Sequence, residues 1–110
     1  MTISAVQIEQ FRTQGHFIAK DILQPETLDA AADDFEALRA KQDAELQSAG
    51  ERRGISHQGR NFIPHLHVQS DAASKVCFDP NLLSIAGSLM GPNVRLYWNQ
   101  AVTKAPNSGG

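Results

Sequence analysis

Apolar positions along this chain fall into short runs separated by polar or glycine-bearing joints, and each run predicts an element. Ile3-Ser4-Ala5-Val6-Gln7-Ile8 reads as a helix start: Ser4 can accept a backbone N–H, Gln7 can reach back, and Ile3 can pack on Ile8 as a staple. Ile8 and Phe11 share a face, and Gly15 is placed to end the helix with positive φ. His16-Phe17-Ile18-Ala19-Lys20 predicts a short strand with an apolar exit at Ile22-Leu23. Pro25 suits the first turn of a second helix. Its stripe of Leu28, Ala31, Ala32, Phe35 and Leu38 fades into Gln42, Glu45 and Leu46 before Gly50.

Residues 50–61, GERRGISHQGRN, lack periodicity and read as loop. Phe62 to Val68 reads as extended, with Pro64 restricting it to an edge or an irregular strand. Residues 70–78 are weakly helical. Asp79-Pro80 opens a helix as cap and first-turn proline. Leu82, Ile85, Ala86, Leu89 and Met90 form its expected buried side, and Gly91-Pro92 closes it. A last strand then alternates, with Val94, Leu96, Trp98, Gln100, Val102 and Lys104 on one face and Arg95, Tyr97, Asn99, Ala101 and Thr103 on the other. The predicted order is helix, strand, helix, loop, helix, strand, an α+β class, with no internal repeats.

Composition narrows the class further. A chain of 110 residues has room for one modest core, and 41% hydrophobic with 20% charged residues reads as globular rather than disordered. The net charge is −2 with both signs mixed, so nothing suggests a nucleic-acid partner or an anionic membrane surface. The N-terminal MTISAVQIEQF fits neither a signal peptide nor a membrane span. Cys77, the one cysteine, cannot form an internal disulfide. A cytoplasmic location is the expectation.

Candidate chemistry is sparse. His65 and His67 lie two apart, so in a strand they point the same way with Cα atoms about 6.6 Å apart. Such a pair can hold a metal if a third ligand arrives, and Asp71 and His57 are the nearby candidates; surface histidines hydrogen-bonded near a loop are the plainer reading. Arg52, Arg53 and Arg60 could clamp an anion, although a glycine-rich arginine loop is ordinarily just solvated. Cys77, between Val76 and Phe78, reads as a small core residue. Lys104 allows two accounts. Its stem can carry the ammonium to water from the strand end. Alternatively, a concave sheet face receives a small anionic ligand, with charge from Lys104, hydrogen bonds from Gln100 and a flat apolar wall from Trp98.

Three segments together resemble the N-terminal part of the phytanoyl-CoA dioxygenase family of iron(II)/2-oxoglutarate-dependent oxygenases. IEQFRTQGHFIAKDILQPETLDA is similar to that family's opening helix, its F-x-x-x-G-[FY] strand and its second helix. FDPNLLSIAGSLMGPNVRLY is similar to its A-x-x-L-[ML]-G-P-[ND]-V-x-L helix and strand. QAVTKAPNSGG is similar to its K-x-P-x-x-G strand end. The resemblance runs over nearly the full chain and is loosest between residues 45 and 75.

The resemblance implies that residues 1–110 are an incomplete N-terminal part of one such domain: helices plus the first strands of a double-stranded β-helix (jelly roll), truncated before the barrel completes. In the family, the H-x-D that begins the iron site follows K-x-P-x-x-G, and the second iron histidine and the arginine that binds 2-oxoglutarate come much later. All would lie past Gly110, and none of the four histidines sits where the metal ligands fall. The complete protein is expected to use Fe(II) and 2-oxoglutarate to activate O2 and hydroxylate a small organic substrate. This chain alone is expected to be inactive and to bind neither cofactor tightly. Lys104 matches the family lysine that contacts the co-substrate, where its ammonium would pair with a carboxylate; the family's K-P-P is here Lys104-Ala105-Pro106. Gln100 would help bind that co-substrate and Trp98 would touch substrate. Two other readings remain open: halogenation by a relative of the same family, and a complete, non-catalytic small α+β binding module. Substrate identity is not readable, because such folds are reused for many chemistries, and neither is oligomeric state.

Overall fold

The computed structural model describes residues 3–49, 56–57 and 60–104. The described chain is mainly helical, with one small antiparallel sheet. Helices α1 (Ala5–Gln14) and α2 (Pro25–Ala49) are followed by strands β1 (Ser56–His57) and β2 (Arg60–Pro64). Helices α3 (Leu66–Gln69), α4 (Asp71–Cys77) and α5 (Pro80–Met90) precede strand β3 (Gln100–Lys104). No barrel or jelly roll forms among the described residues. The arginine-loop candidates Arg52 and Arg53, the side chains of Arg60, His57 and Leu46, and the whole of 105–110 lie outside the described residues.

The predicted helix ends form as expected. Ser4 accepts from the backbone of Gln7 while the Gln7 side chain accepts from the backbone of Ser4, a complete capping box. Gly15 closes α1 at φ 80°, its N–H donating to Phe11 O at 2.8 Å. Asp79 caps α5 by accepting from Asn81 N at 2.8 Å, with Pro80 in the first turn. Gly91 ends it at φ 97°. Within α2, Arg39 bridges Glu36 and Asp43 at 2.9 and 3.2 Å. The Glu36 hydrogen bond, more than charge alone, raises the guanidinium above its ordinary pKa.

Two predicted strands need correction. His16–Lys20 is not a strand: no neighbour pairs with it among the described residues. It runs back along α1 instead, where Phe17 meets Phe11 edge-on and the Ile18 carbonyl accepts from the Gln7 amide at 3.4 Å. An apolar run becomes a strand only when a partner takes its backbone groups, and none lies beside this one. The final strand is shorter than alternation suggested. Residues 93–99 lie outside any strand and β3 begins only at Gln100.

The extended stretch expected at 62–68 is divided. β2 holds residues 60–64, and the chain then turns through His65 in the left-handed region (φ 50°) into α3. The sheet order is β1-β2-β3, so the strand carrying Pro64 is central rather than at an edge. Pro64 is nevertheless tolerated. It pairs with Gln100 at the end of the β2–β3 ladder, whereas β1 reaches only Arg60 and Asn61, so no ladder bond on that side needs its missing N–H.

The core of the described residues is thin. Only Ile63, Ala73 and Ile85 are buried among apolar side chains, at 4%, 4% and 9% exposure. On α5, Ile85 is the one deeply buried member of the expected stripe; Leu82, Ala86 and Leu89 are half-buried and Met90 is exposed. On α2, Phe35, Leu38 and Ala31 are half-buried, whereas Leu28 and Ala32 are exposed. The Cα radius of gyration is 16.7 Å, whereas a compact domain of about 100 residues has about 13 Å. Ser70 is the one buried polar residue among those described, held by Asp34 of α2 and by the backbone of Ala73. No helix of the described residues is long and apolar enough to cross a membrane.

Candidate functional site

Three places on the molecule have some of the character of a site, and they do not coincide. The first is the outer face of β3. Gln100, Val102 and Lys104 are exposed, while Ala101 and Thr103 between them are half-buried. Lys104 and Gln100 make no side-chain hydrogen bond or ion pair among the described residues, so an ammonium and an amide are both free to meet a ligand. This exposure agrees with the account in which the Lys104 stem carries its ammonium to water from the strand end. Along 94–96 the even-numbered residues turn inward, with Val94 and Leu96 half-buried and Arg95 exposed. From Asn99 onward the odd-numbered residues do. Tyr97 and Trp98 are both exposed, at 91% and 51%, and mark where the phase changes. A one-residue shift exchanges the two faces of an extended chain.

The cause of the shift lies in Asn99. Its backbone carbonyl accepts from His65 N at 2.8 Å. Its side-chain Oδ1 lies 2.7 Å from His67 Nδ1, and its Nδ2 donates to Cys77 Sγ at 3.0 Å. Drawn in by these contacts, Asn99 sets the phase of the residues that follow.

The same contacts create the second place, a cluster at the junction of β2, α3 and the 93–99 segment. His65 and His67 are not on a common strand as expected: one occupies the left-handed turn, the other lies in α3. They still approach, with ring centroids 5.8 Å apart. Trp98 packs against His65 at 4.3 Å between centroids, and Phe78 against His67 at 6.5 Å. Asp71, once a candidate third ligand, does not join them, and no group of three or more His, Cys, Asp or Glu residues suited to a metal occurs among the described residues. Cys77 is half-buried rather than a core residue, and its sulphur serves as an acceptor. Asn99 has no distinguishing mark in the sequence, where it is one polar residue in an alternating run. Only the positions of His67 and Cys77 reveal it.

The third place is an apolar groove of about 610 Å³ along α5, lined by Phe78, Leu82, Ala86, Met90, Val94 and Leu96 among others, with Arg95 its one charged wall. Neither Trp98, Gln100 nor Lys104 lines it, so the residues expected to act together on a ligand are not gathered round one cavity.

No family model, curated protein or solved structure matches this chain.

Proposed function

We propose that this chain forms the helical front and the first strands of an iron(II)/2-oxoglutarate-dependent oxygenase domain related to the phytanoyl-CoA dioxygenases. The observation that carries the reading is the succession of three motif segments in family order, the last of which puts Lys104 on the exposed face of a strand beside Gln100. The thin core is consistent with it: a wall that bears Leu28, Val102 and Met90 in the open has apolar surface to place against more of a barrel.

The fit to the two cofactors differs. The described residues do not fit an iron centre, since they offer no cluster of three ligands, and no step through iron is assigned to them. They do fit one end of a dicarboxylate. Lys104, at a strand end, makes no ion pair among the described residues, and an ammonium–carboxylate hydrogen bond there gains from charge on both partners. Gln100, four positions earlier on the same face with Val102 between them, can donate to a carboxylate oxygen and accept from a hydroxyl. In this reading the chain holds and orients the co-substrate, Trp98 contributes an aromatic surface to the substrate side, and the oxidising centre is formed by other residues. The product class is a hydroxylated small organic molecule, with halogenation as the variant chemistry of the same architecture.

The test is to titrate 2-oxoglutarate into the 110-residue chain while following the amide signals of Gln100–Lys104. A weak, salt-sensitive response centred on Lys104 and lost in Lys104→Met is expected, together with no succinate formation when ferrous iron and O2 are added. Turnover by this chain alone would refute the reading. So would a dicarboxylate response that survives Lys104→Met.

A further inference from the structure

We propose that His65 and His67 form a two-histidine site for a borderline divalent cation of the zinc type, with Asn99 as the residue that positions it. This inference does not rest on the oxygenase reading, although Trp98 borders both places.

The argument starts from the Asn99 amide. Because its Nδ2 donates to Cys77 Sγ at 3.0 Å, its Oδ1 is the atom turned to His67, 2.7 Å from Nδ1. A carbonyl oxygen only accepts, so His67 Nδ1 carries the proton. In the neutral ring, Nε2 then keeps its lone pair. Metal-bound histidines commonly show this arrangement, the second ring nitrogen donating to an acceptor that fixes tautomer and ring angle.

His65 supplies the second nitrogen. Its ring nitrogens make no hydrogen bond among the described residues, and its ring is held at 4.3 Å from Trp98. Its backbone is held as well, N–H to Asn99 O at 2.8 Å, in a left-handed conformation (φ 50°) that non-glycine residues seldom adopt. Strained backbone of this kind concentrates where a side chain must be aimed.

The spacing suits one ion. With metal–nitrogen bonds of about 2.0–2.1 Å, two ligating imidazoles have centroids about 3.2 Å from the metal, hence about 5.2 Å apart at a tetrahedral angle. The rings here are 5.8 Å apart, close to that separation. Both residues are half-buried, so water can complete the coordination. Imidazole ligands favour zinc, nickel and copper over oxygen-seeking magnesium.

The test is a zinc titration of the full chain, followed through the histidine ring signals by NMR and through heat by calorimetry, with magnesium as the control. The expected result is saturation at a single equivalent, movement of the His65 and His67 ring signals with that of His16 unmoved, and no response to magnesium. Before zinc is added, the His67 ring should report the Nδ1–H tautomer. His65→Ala/His67→Ala should lose the saturable binding. Asn99→Ala, with both ligands intact, should weaken it by about 10–100-fold, whereas Asn99→Asp, which keeps an acceptor, should retain it. The proposal is overturned if zinc moves neither ring in the unmodified chain, a readout that needs no variant to fold. Unchanged affinity in the double variant or in Asn99→Ala also overturns it.

Discussion

Ser70 and Asp34, thirty-six positions apart in sequence, meet through a 2.6 Å hydrogen bond from the serine hydroxyl to the carboxylate. Ser70 is 5% exposed and its oxygen also accepts from Ala73 N at 3.0 Å, capping α4. One hydroxyl therefore starts a helix and ties it to α2.

Replacing Ser70 with Ala removes both interactions and leaves the Asp34 carboxylate facing a methyl group. Asp34 is exposed and water can take the place of the hydroxyl there, so the expected loss, about 0.5–2 kcal/mol, is mainly that of the helix cap. Asp34→Asn keeps an acceptor for the hydroxyl and should cost less. Urea denaturation of the two variants checks the order. If Asp34→Asn is the more damaging, the carboxylate acts through some other contact.

Asn99 should matter to the sheet as much as to the histidines. Its contacts to His65, His67 and Cys77 hold the chain in the phase that turns Ala101 and Thr103 inward. Asn99→Leu removes the polar side-chain contacts and leaves His67 without its acceptor. It is expected to cost about 1–3 kcal/mol and to speed amide exchange in Gln100–Lys104. Exchange that rises in α1 but not in β3 is the contrary result.

How much of this was legible in the sequence depends on the range of the interaction. Ser4, Gly15, Asp79, Pro80 and Gly91 announce helix ends because capping is decided within a few residues. The strand expected at His16–Lys20 fails because its pairing had to come from elsewhere in the chain. Which face of β3 turns outward is likewise not decided locally. Alternation fixes which residues share a face, but the phase is set at Asn99 by groups on three other segments, and no local pattern encodes that. The H-x-H spacing of His65 and His67 suits a strand. They come together instead through a left-handed turn, and their supporting residue, Asn99, is marked only by its contacts to His67 and Cys77, far from it in sequence.

Lys104 and Gln100 are exposed and make no side-chain hydrogen bond or ion pair among the described residues, so their replacement should leave folding almost untouched. Lys104→Met and Gln100→Ala are each expected to shift stability by no more than about 0.5 kcal/mol. Thermal unfolding checks this. A large loss from either would mean that the side chain supports the fold, which removes the reason for reading that face as a ligand surface.

Gly87 and Gly91, one turn apart at the end of α5, should respond to alanine with opposite sign. Gly87 lies inside the helix, and a Cβ there would meet nothing within 4 Å. Alanine loses less conformational freedom on folding, so Gly87→Ala should stabilise the chain by about 0.5–1 kcal/mol. Gly91 also has open space around it, so crowding does not decide its case. Its backbone does: φ 97° with ψ 171° belongs to a region that is essentially glycine's alone. Gly91→Ala must either hold that strain, at about 1–3 kcal/mol, or release it by redirecting Pro92 and the segment that carries Val94 and Leu96 past α5. The two outcomes are separable, since strain lowers stability with the amide spectrum of 93–99 preserved, while redirection moves those signals and opens the groove beside Leu82. Equal effects at both glycines would mean that the turn after α5 does not require this backbone conformation.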